Sequence, residues 1–231
     1  MNIGRTLFWF KDGDERCLTL DERFFAYGTL LNRLLNQCYS GKKLKFININ
    51  FFSQQTFDLY PSFPKEAVYY YGGNLQYYGF LDYAQFDKLS EHEQVRTVWE
   101  KAYHYLKNAA EAIKNEDLLA ACKYAFAKGL ETNLDPDYRM LDTELTLHGK
   151  AVRASVWLNF RKDGMHSRLT IEKEGRVLFE KHLDKTKNGV EYFLVMYKQI
   201  ASNGTNVIVK GRKDAGHLPL TVPISKDIVL D

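Results

Sequence analysis

The stretch from Ser90 to Asn115, SEHEQVRTVWEKAYHYLKNAAEAIKN, constrains the fold more than any other, because start signal, periodicity and stop signal agree within it. Ser90 followed three residues later by Glu93 is a capping box: the serine hydroxyl accepts the Glu93 backbone N–H, and the Glu93 carboxylate accepts that of Ser90. Val95, Val98, Trp99, Ala102, Leu106, Ala109, Ala110 and Ile113 then recur at helical spacing, with Arg96, Glu100, Lys107, Glu111 and Lys114 on the other side. So long an apolar stripe requires a covering surface, and the strand-like alternation of most of the remaining chain predicts a sheet. The helix is therefore expected to be the central core element of an α+β protein, a mainly antiparallel sheet (hairpins and a C-terminal meander) packed against two or three helices.

Upstream, TLFWF from Thr6, a DGDE turn from Asp12 and RCLTL ending at Leu20 predict a hairpin. Asp21 caps a helix whose broad apolar face is Phe24, Phe25, Tyr27, Leu30, Leu31, Leu34 and Leu35, ended by Ser40-Gly41. KLKFININFF from Lys43 alternates as a strand, and Pro61 and Pro64 mark an irregular connection. AVYYY and LQYYGF, joined by Gly72-Gly73-Asn74, predict a second hairpin. After the organising helix, Asn115 caps NEDLLAACKYAFAKGL, a helix expected antiparallel to it. ETNLDPD around Pro136 then turns the composition from helical to strand-like. A single α+β domain, 1–231, is expected, with a subdomain seam near 131–138.

From Tyr138 the alternation is clean. Leu141, Leu145 and Leu147 alternate with Asp142, Glu144 and His148. The next strand places Val152, Ala154, Val156, Leu158 and Phe160 inward and Arg153, Ser155, Trp157, Asn159 and Arg161 outward. Asp163-Gly164 is expected to form a primed turn, pairing Leu158 with Leu169 and Val156 with Ile171, and setting Trp157 opposite Thr170, Asn159 opposite Arg168 and Arg161 opposite His166. Glu174-Gly175 leads into RVLFEKHL and Asn188-Gly189 into VEYFLVMYKQI, whose continuous apolar run fits strand or helix. NVIVK is expected as the last strand, with an irregular tail through Pro219 and Pro223.

Cys17, Cys38 and Cys122 are odd in number, widely spaced and without a CxxC pair, so three reduced thiols and a cytoplasmic location are expected. Leu7 to Phe10 is too short for a signal peptide, and no run approaches the ~18 apolar residues of a membrane span. Asn203-Gly204-Thr205 is then a turn and not a glycan site. A formal charge of +3 falls short of the polybasic balance of a dedicated nucleic-acid binder. His92-Glu93 begins like a zinc-peptidase HExxH, but Arg96 stands where the second histidine belongs. Glu100 and His104 lie on the polar helix face and read as a solvated pair. Gly72-Gly73 lacks the context of a phosphate loop, and Cys122 lies on an apolar stripe. No catalytic residue, metal site or cofactor is expected.

Two surfaces stand out. QYYGFLDY from Gln76 to Tyr83 partly resembles the octamer of RNA-recognition motifs, matching at Tyr78, Gly79, Phe80 and Tyr83 with Leu81 in the apolar position; Gln76 replaces the basic residue and Tyr77 the first glycine. That resemblance implies single-stranded nucleic acid stacked on the tyrosine-rich hairpin, Tyr71 and Tyr78 included. The outer face of the hairpin from Ala151 to Glu172 groups Trp157 with Arg153, Arg161, His166 and Arg168, residue types enriched at binding hot spots. The expected function is a cytosolic protein-binding module of the toxin-neutralising, immunity type, blocking another protein by surface complementarity and touching no membrane. Alternatives are RNA or single-stranded nucleic-acid binding, and a small enzyme whose sign would be a deep pocket lined by His104 or His148.

Overall fold

The expected organising helix spans Glu91–Ala112 with both halves of its capping box formed: the Ser90 backbone N–H donates to Glu93 Oε2 at 2.9 Å, and Ser90 Oγ accepts from the Glu93 N–H. The computed structural model describes residues 2–230. Its contacts divide the chain into two units, Met1–Pro136 and Asp137–Asp231. The fold is α+β, helices with mostly antiparallel sheets.

In chain order the first unit comprises β1 (Arg5–Asp12), β2 (Glu15–Arg16), α1 (Leu18–Cys38), β3 (Phe46–Phe52), α2 (Gln54–Leu59), β4 (Ala67–Tyr71), β5 (Asn74–Phe80), α3 (Tyr83–Phe86), α4 (Glu91–Ala112) and α5 (Glu116–Glu131). One sheet runs β2-β1-β3-β5-β4, and its central pairs β1–β3 and β3–β5 are parallel, which departs from the antiparallel expectation. A long helix between two strands is the connection that lets them lie parallel, and α1 is that connection. Phe8 and Phe10 from β1, Ile49 and Phe51 from β3 and Leu75 and Tyr77 from β5 face one core with Leu34, Trp99, Leu106 and Cys122 from the helices. Burial pushes the Cys122 thiol up, as befits a core residue, and all three cysteines are unpaired.

The N-terminal hairpin is a correction. RCLTL is not a strand: pairing ends at Arg16, and the helix begins at Leu18. Asp21 does not cap it from outside. Its carboxylate sits in the first turn, accepting from the Phe10 N–H at 2.8 Å and from Arg16 Nε at 2.5 Å, so the helix start is tied back onto β1. Desolvation raises the pKa of that carboxyl, against the lowering effect of Arg16. At the other end Asn115 caps α5, its Oδ1 accepting from the Leu118 N–H. Gly129 lets α5 close on α4, since a Cβ there would overlap the Trp99 ring.

The second unit comprises β6 (Tyr138–Leu147), β7 (Lys150–Arg161), β8 (Gly164–Lys173), β9 (Arg176–Thr186), a 3-10 turn (Glu191–Val195), β10 (Tyr197–Ser202), β11 (Asn206–Gly211), β12 (Leu220–Pro223) and α6 (Lys226–Leu230). Both sheets, β6-β7-β8-β9 and β10-β11-β12, are antiparallel throughout. The apolar run after Asn188 is thus turn first and strand second, and the tail expected to be irregular contributes β12 and α6. His148, expected outward on a strand, instead forms a primed turn with Gly149, at φ of +49° and +76°.

The β7–β8 register is two residues from the expected one. Arg161 pairs with Gly164, so the turn is Lys162-Asp163 and the partners are Val156 with Leu169, Trp157 with Arg168 and Asn159 with His166. Gly164 is needed inside the strand: it lies at φ +131°, and a Cβ there would overlap the Thr186 carbonyl of β9. A two-residue slip preserves side-chain parity, so the faces are as expected although every partner differs.

Val152, Val156, Leu158, Val207, Val209 and Val222 are buried in this unit, and the Ser167 and Tyr197 hydroxyls lie 2.7 Å apart within it. Burial pushes the Tyr197 phenol up to about 12. A folded pKa above the unfolded value means that its contribution is complete below pH ~10 and lost as pH rises toward 12. Stability measured across that window should fall in the wild type and fall less in Tyr197→Phe; identical profiles would refute the assignment.

Candidate functional site

Arg153, Trp157, Arg161, His166 and Arg168 share the outer face of β7 and β8, as the alternation requires. Their polar groups are engaged there. Two guanidinium groups lie against the Trp157 ring, Arg139 at 4.8 Å and Arg168 at 5.4 Å from its centroid, and the indole N–H donates to Thr170 Oγ1 at 3.0 Å. Arg139 donates to both carboxylate oxygens of the buried Glu172, and Thr170 Oγ1 donates to one of them. Arg168 continues the network to Asn159 at 3.0 Å and Glu180 at 2.5 Å, and Asn159 donates to Asp137, which Arg161 also reaches at 2.9 Å.

Arg153 pairs with Asp142 and holds that carboxyl below the usual carboxylate range. His166 and Lys185 flank Asp163, whose carboxyl is lowered to about 2, chiefly by Lys185. Parity, which set Thr170 opposite Trp157, could also have added Glu172 to this face. Arg139 and Asp137 were beyond it, because a register shift between Arg139 and Leu141 breaks the alternation of β6.

His104 is exposed on α4, and its helix neighbour Glu100 pairs with Arg96. His148 Nε2 lies 2.8 Å from the Ile224 carbonyl oxygen. A surface cleft of about 400 Å³ is lined by Tyr39, Lys42, Lys43, Lys114 and Asp117, and neither histidine contributes to it. Among the described residues no cluster of three His, Cys, Asp or Glu side chains is placed to hold a metal, and no helix is long and apolar enough to cross a membrane.

The aromatic hairpin forms as expected. Tyr71 pairs with Asn74 across a two-residue primed turn in which Gly72 and Gly73 take φ of +57° and +90°, values that an L side chain resists. Alternation sends Val68 of β4 and Leu75 and Tyr77 of β5 toward the helices, where Tyr77 stacks on Tyr105 with centroids 4.7 Å apart. Gly79 points the same way, and a Cβ there would overlap the Tyr105 ring. Ala67, Tyr69 and Tyr71 of β4, with Gln76, Tyr78 and Phe80 of β5, lie on the opposite face.

That face has a covered end and an open corner. Tyr78 is half-buried, stacked on Phe63 at 4.8 Å and flanked by Phe52 and Tyr69, and Lys65 lies 5.0 Å over the Phe80 ring. Phe63 therefore occupies the ring on which the RNA-recognition resemblance would stack a base; Tyr83, another matching position, sits in α3 with its hydroxyl donating to the Phe51 carbonyl. At the other end Phe46, Asn74 and Tyr71 form one row across β3, β5 and β4. Tyr71 is 89% exposed, Tyr69 48%, Tyr70 39% and Phe46 37%. Tyr70, whose register sets it on the helix-facing side with Val68 and Leu75, donates to the Lys43 carbonyl at 2.9 Å. Tyr69 and Phe46 were missed as members of this corner, as was Tyr70 on the other face of the same strand end; their signal was the unbroken AVYYY run beside a Gly-Gly turn and a lysine-rich segment.

The chain thus presents one aromatic corner on a rigid hairpin and one self-satisfied polar face on a four-stranded sheet. Comparison with known protein families, with curated proteins and with solved structures finds no match.

Proposed function

We propose that this chain is a protein-binding module whose contact surface is the tyrosine corner of its N-terminal unit. The observation that carries this is Tyr71, a residue 89% exposed and sharing one sheet face with Tyr69 and Phe46 at a hairpin closed by a primed turn. Tyrosine supplies large, rigid contact area with a polar tip and loses little conformational freedom on binding. Within that class the specific role proposed is neutralisation of an immunity type, in which the corner covers a partner's own functional site.

The test uses the wild-type chain and the Tyr69→Ala/Tyr71→Ala variant as baits in native pull-downs from the source cell, read by mass spectrometry. A protein held by the wild type should be retained about tenfold less by the variant, while the thermal melt shifts little, as for exposed anchors. If the captured protein is a toxin or an enzyme, its activity should fall on addition of the wild type and not of the variant. Equal capture by both baits would overturn the proposal. So would an eluate dominated by nucleic acid that salt releases, which would instead assign the corner to single strands.

A further inference from the structure

β4 is the last strand of its sheet, and it pairs on one side only. In a hairpin closed by a two-residue turn the residues flanking the turn form the hydrogen-bonded pair. Tyr71, Tyr69 and Ala67 therefore direct their backbone groups to β5, and Val68 and Tyr70 direct theirs outward. The open edge offers an N–H and a C=O at each of two alternate residues, the pattern that an added strand satisfies.

Lysines stand at both ends of this edge. Lys43 and Lys45 lie at the turn end of β4, where Lys43 accepts the Tyr70 hydroxyl on its carbonyl and the Lys45 N–H donates to the Gly73 carbonyl. Lys65 lies just before its start. All three are exposed, and none has a carboxylate within ion-pair distance among the described residues. Of the acidic groups nearby, Glu66 is engaged by the Tyr77 hydroxyl at 2.5 Å, and Glu116 and Asp117 line the cleft that Lys43 borders. A second copy pairing antiparallel on this edge would bring Lys65 of one chain against Lys43 and Lys45 of the other, a repulsive arrangement of the kind that keeps natural edges apart. A nucleic-acid strand would meet the lysines, but its phosphates only accept and would leave the outward carbonyls unpaired.

We propose that the open edge of β4 takes up an extended, acidic segment of a partner protein as an additional strand, with its carboxylates on Lys43, Lys45 and Lys65. This rests on the protein-binding reading of the tyrosine corner. Tyr69 and Tyr71 then flank the incoming strand on one face and Tyr70 on the other, so main-chain bonds hold the segment and the rings select its side chains.

A displayed library of random dodecapeptides selected on the full-length chain tests it, with the most enriched peptide then synthesised and its affinity measured against variants. Tyr70→Pro removes an outward N–H that β5 does not use, and Tyr70→Ala keeps it. The expected result is an enriched set that alternates apolar with Asp or Glu, binds Tyr70→Pro at least about tenfold more weakly than Tyr70→Ala, and binds Lys43→Gln/Lys45→Gln at least about tenfold more weakly than wild type. A circular-dichroism melt of Tyr70→Pro within a few degrees of wild type establishes that the hairpin persists; if that variant melts early, protection of the Val68 and Tyr70 amides from hydrogen exchange on peptide addition to the wild type decides instead. Lack of enrichment, enrichment without acidic residues, or binding indifferent both to Tyr70→Pro and to amide protection would overturn strand addition. Peptides lost on Tyr71→Ala but kept on Tyr70→Pro would sink it while leaving the corner a protein-binding surface, and loss of neither would sink both. Tighter binding of an oligo-uridine probe than of any selected peptide would also overturn it.

Discussion

Replacing Trp99 with alanine is expected to cost about 3–5 kcal/mol, the range of large aromatic truncations in a core that relaxes only partly. The ring is 2% exposed, its indole N–H lies 3.4 Å from the Phe126 carbonyl, and Gly129 of α5 abuts it where no side chain would fit. Truncation therefore opens a cavity between α4 and α5, a seam that neither helix can close without moving off the sheet. Urea unfolding followed by far-ultraviolet circular dichroism gives the value. A loss below about 1 kcal/mol would mean that α4 does not organise the core.

Trp157→Ala is expected to lower stability by about 2–4 kcal/mol, less than a fully buried ring but more than an exposed anchor. The lost terms are the two guanidinium contacts and the 3.0 Å bond to the buried Thr170. Glu172 carries the sharper consequence. It is 6% exposed and paired with Arg139, so admitting water beside that pair or misplacing Arg139 leaves a buried charge undercompensated. Phe at 157 should recover part of the loss by restoring the ring without the N–H. A Trp157→Ala protein that melts with the wild type and loses its partner would return this face to the role of binding anchor.

The Trp157 face was legible as a cluster, because strand parity assigns residues to faces whatever the exact register, and the tyrosine corner was legible only in part, through Tyr71. Their difference was not. Arg139 enters the network from a strand whose alternation is interrupted and Asp137 from the residue before that strand, so the closure of the outer face follows from a bulge and an irregular entry and not from a pattern. Phe63, which covers Tyr78, arrives from the irregular stretch around Pro61 and Pro64, where no periodicity exists to read.

By itself the sequence determined what short-range chemistry controls: the capping box at Ser90 and Glu93, the Asn115 cap, the apolar stripe through Trp99, the Gly72-Gly73 hairpin and the inward and outward sets of β7. Each rests on contacts within a few residues or on a period that burial enforces. Only the tertiary structure decided the parallel pairing of β1, β3 and β5, the early start of α1 at Leu18 and the two-residue slip after Arg161. Those depend on groups far apart in the chain. The Asp21 carboxylate reaching the Phe10 N–H and the Thr186 carbonyl approaching Gly164 are contacts that no local pattern encodes, and each outweighs the local turn or cap preference it displaces.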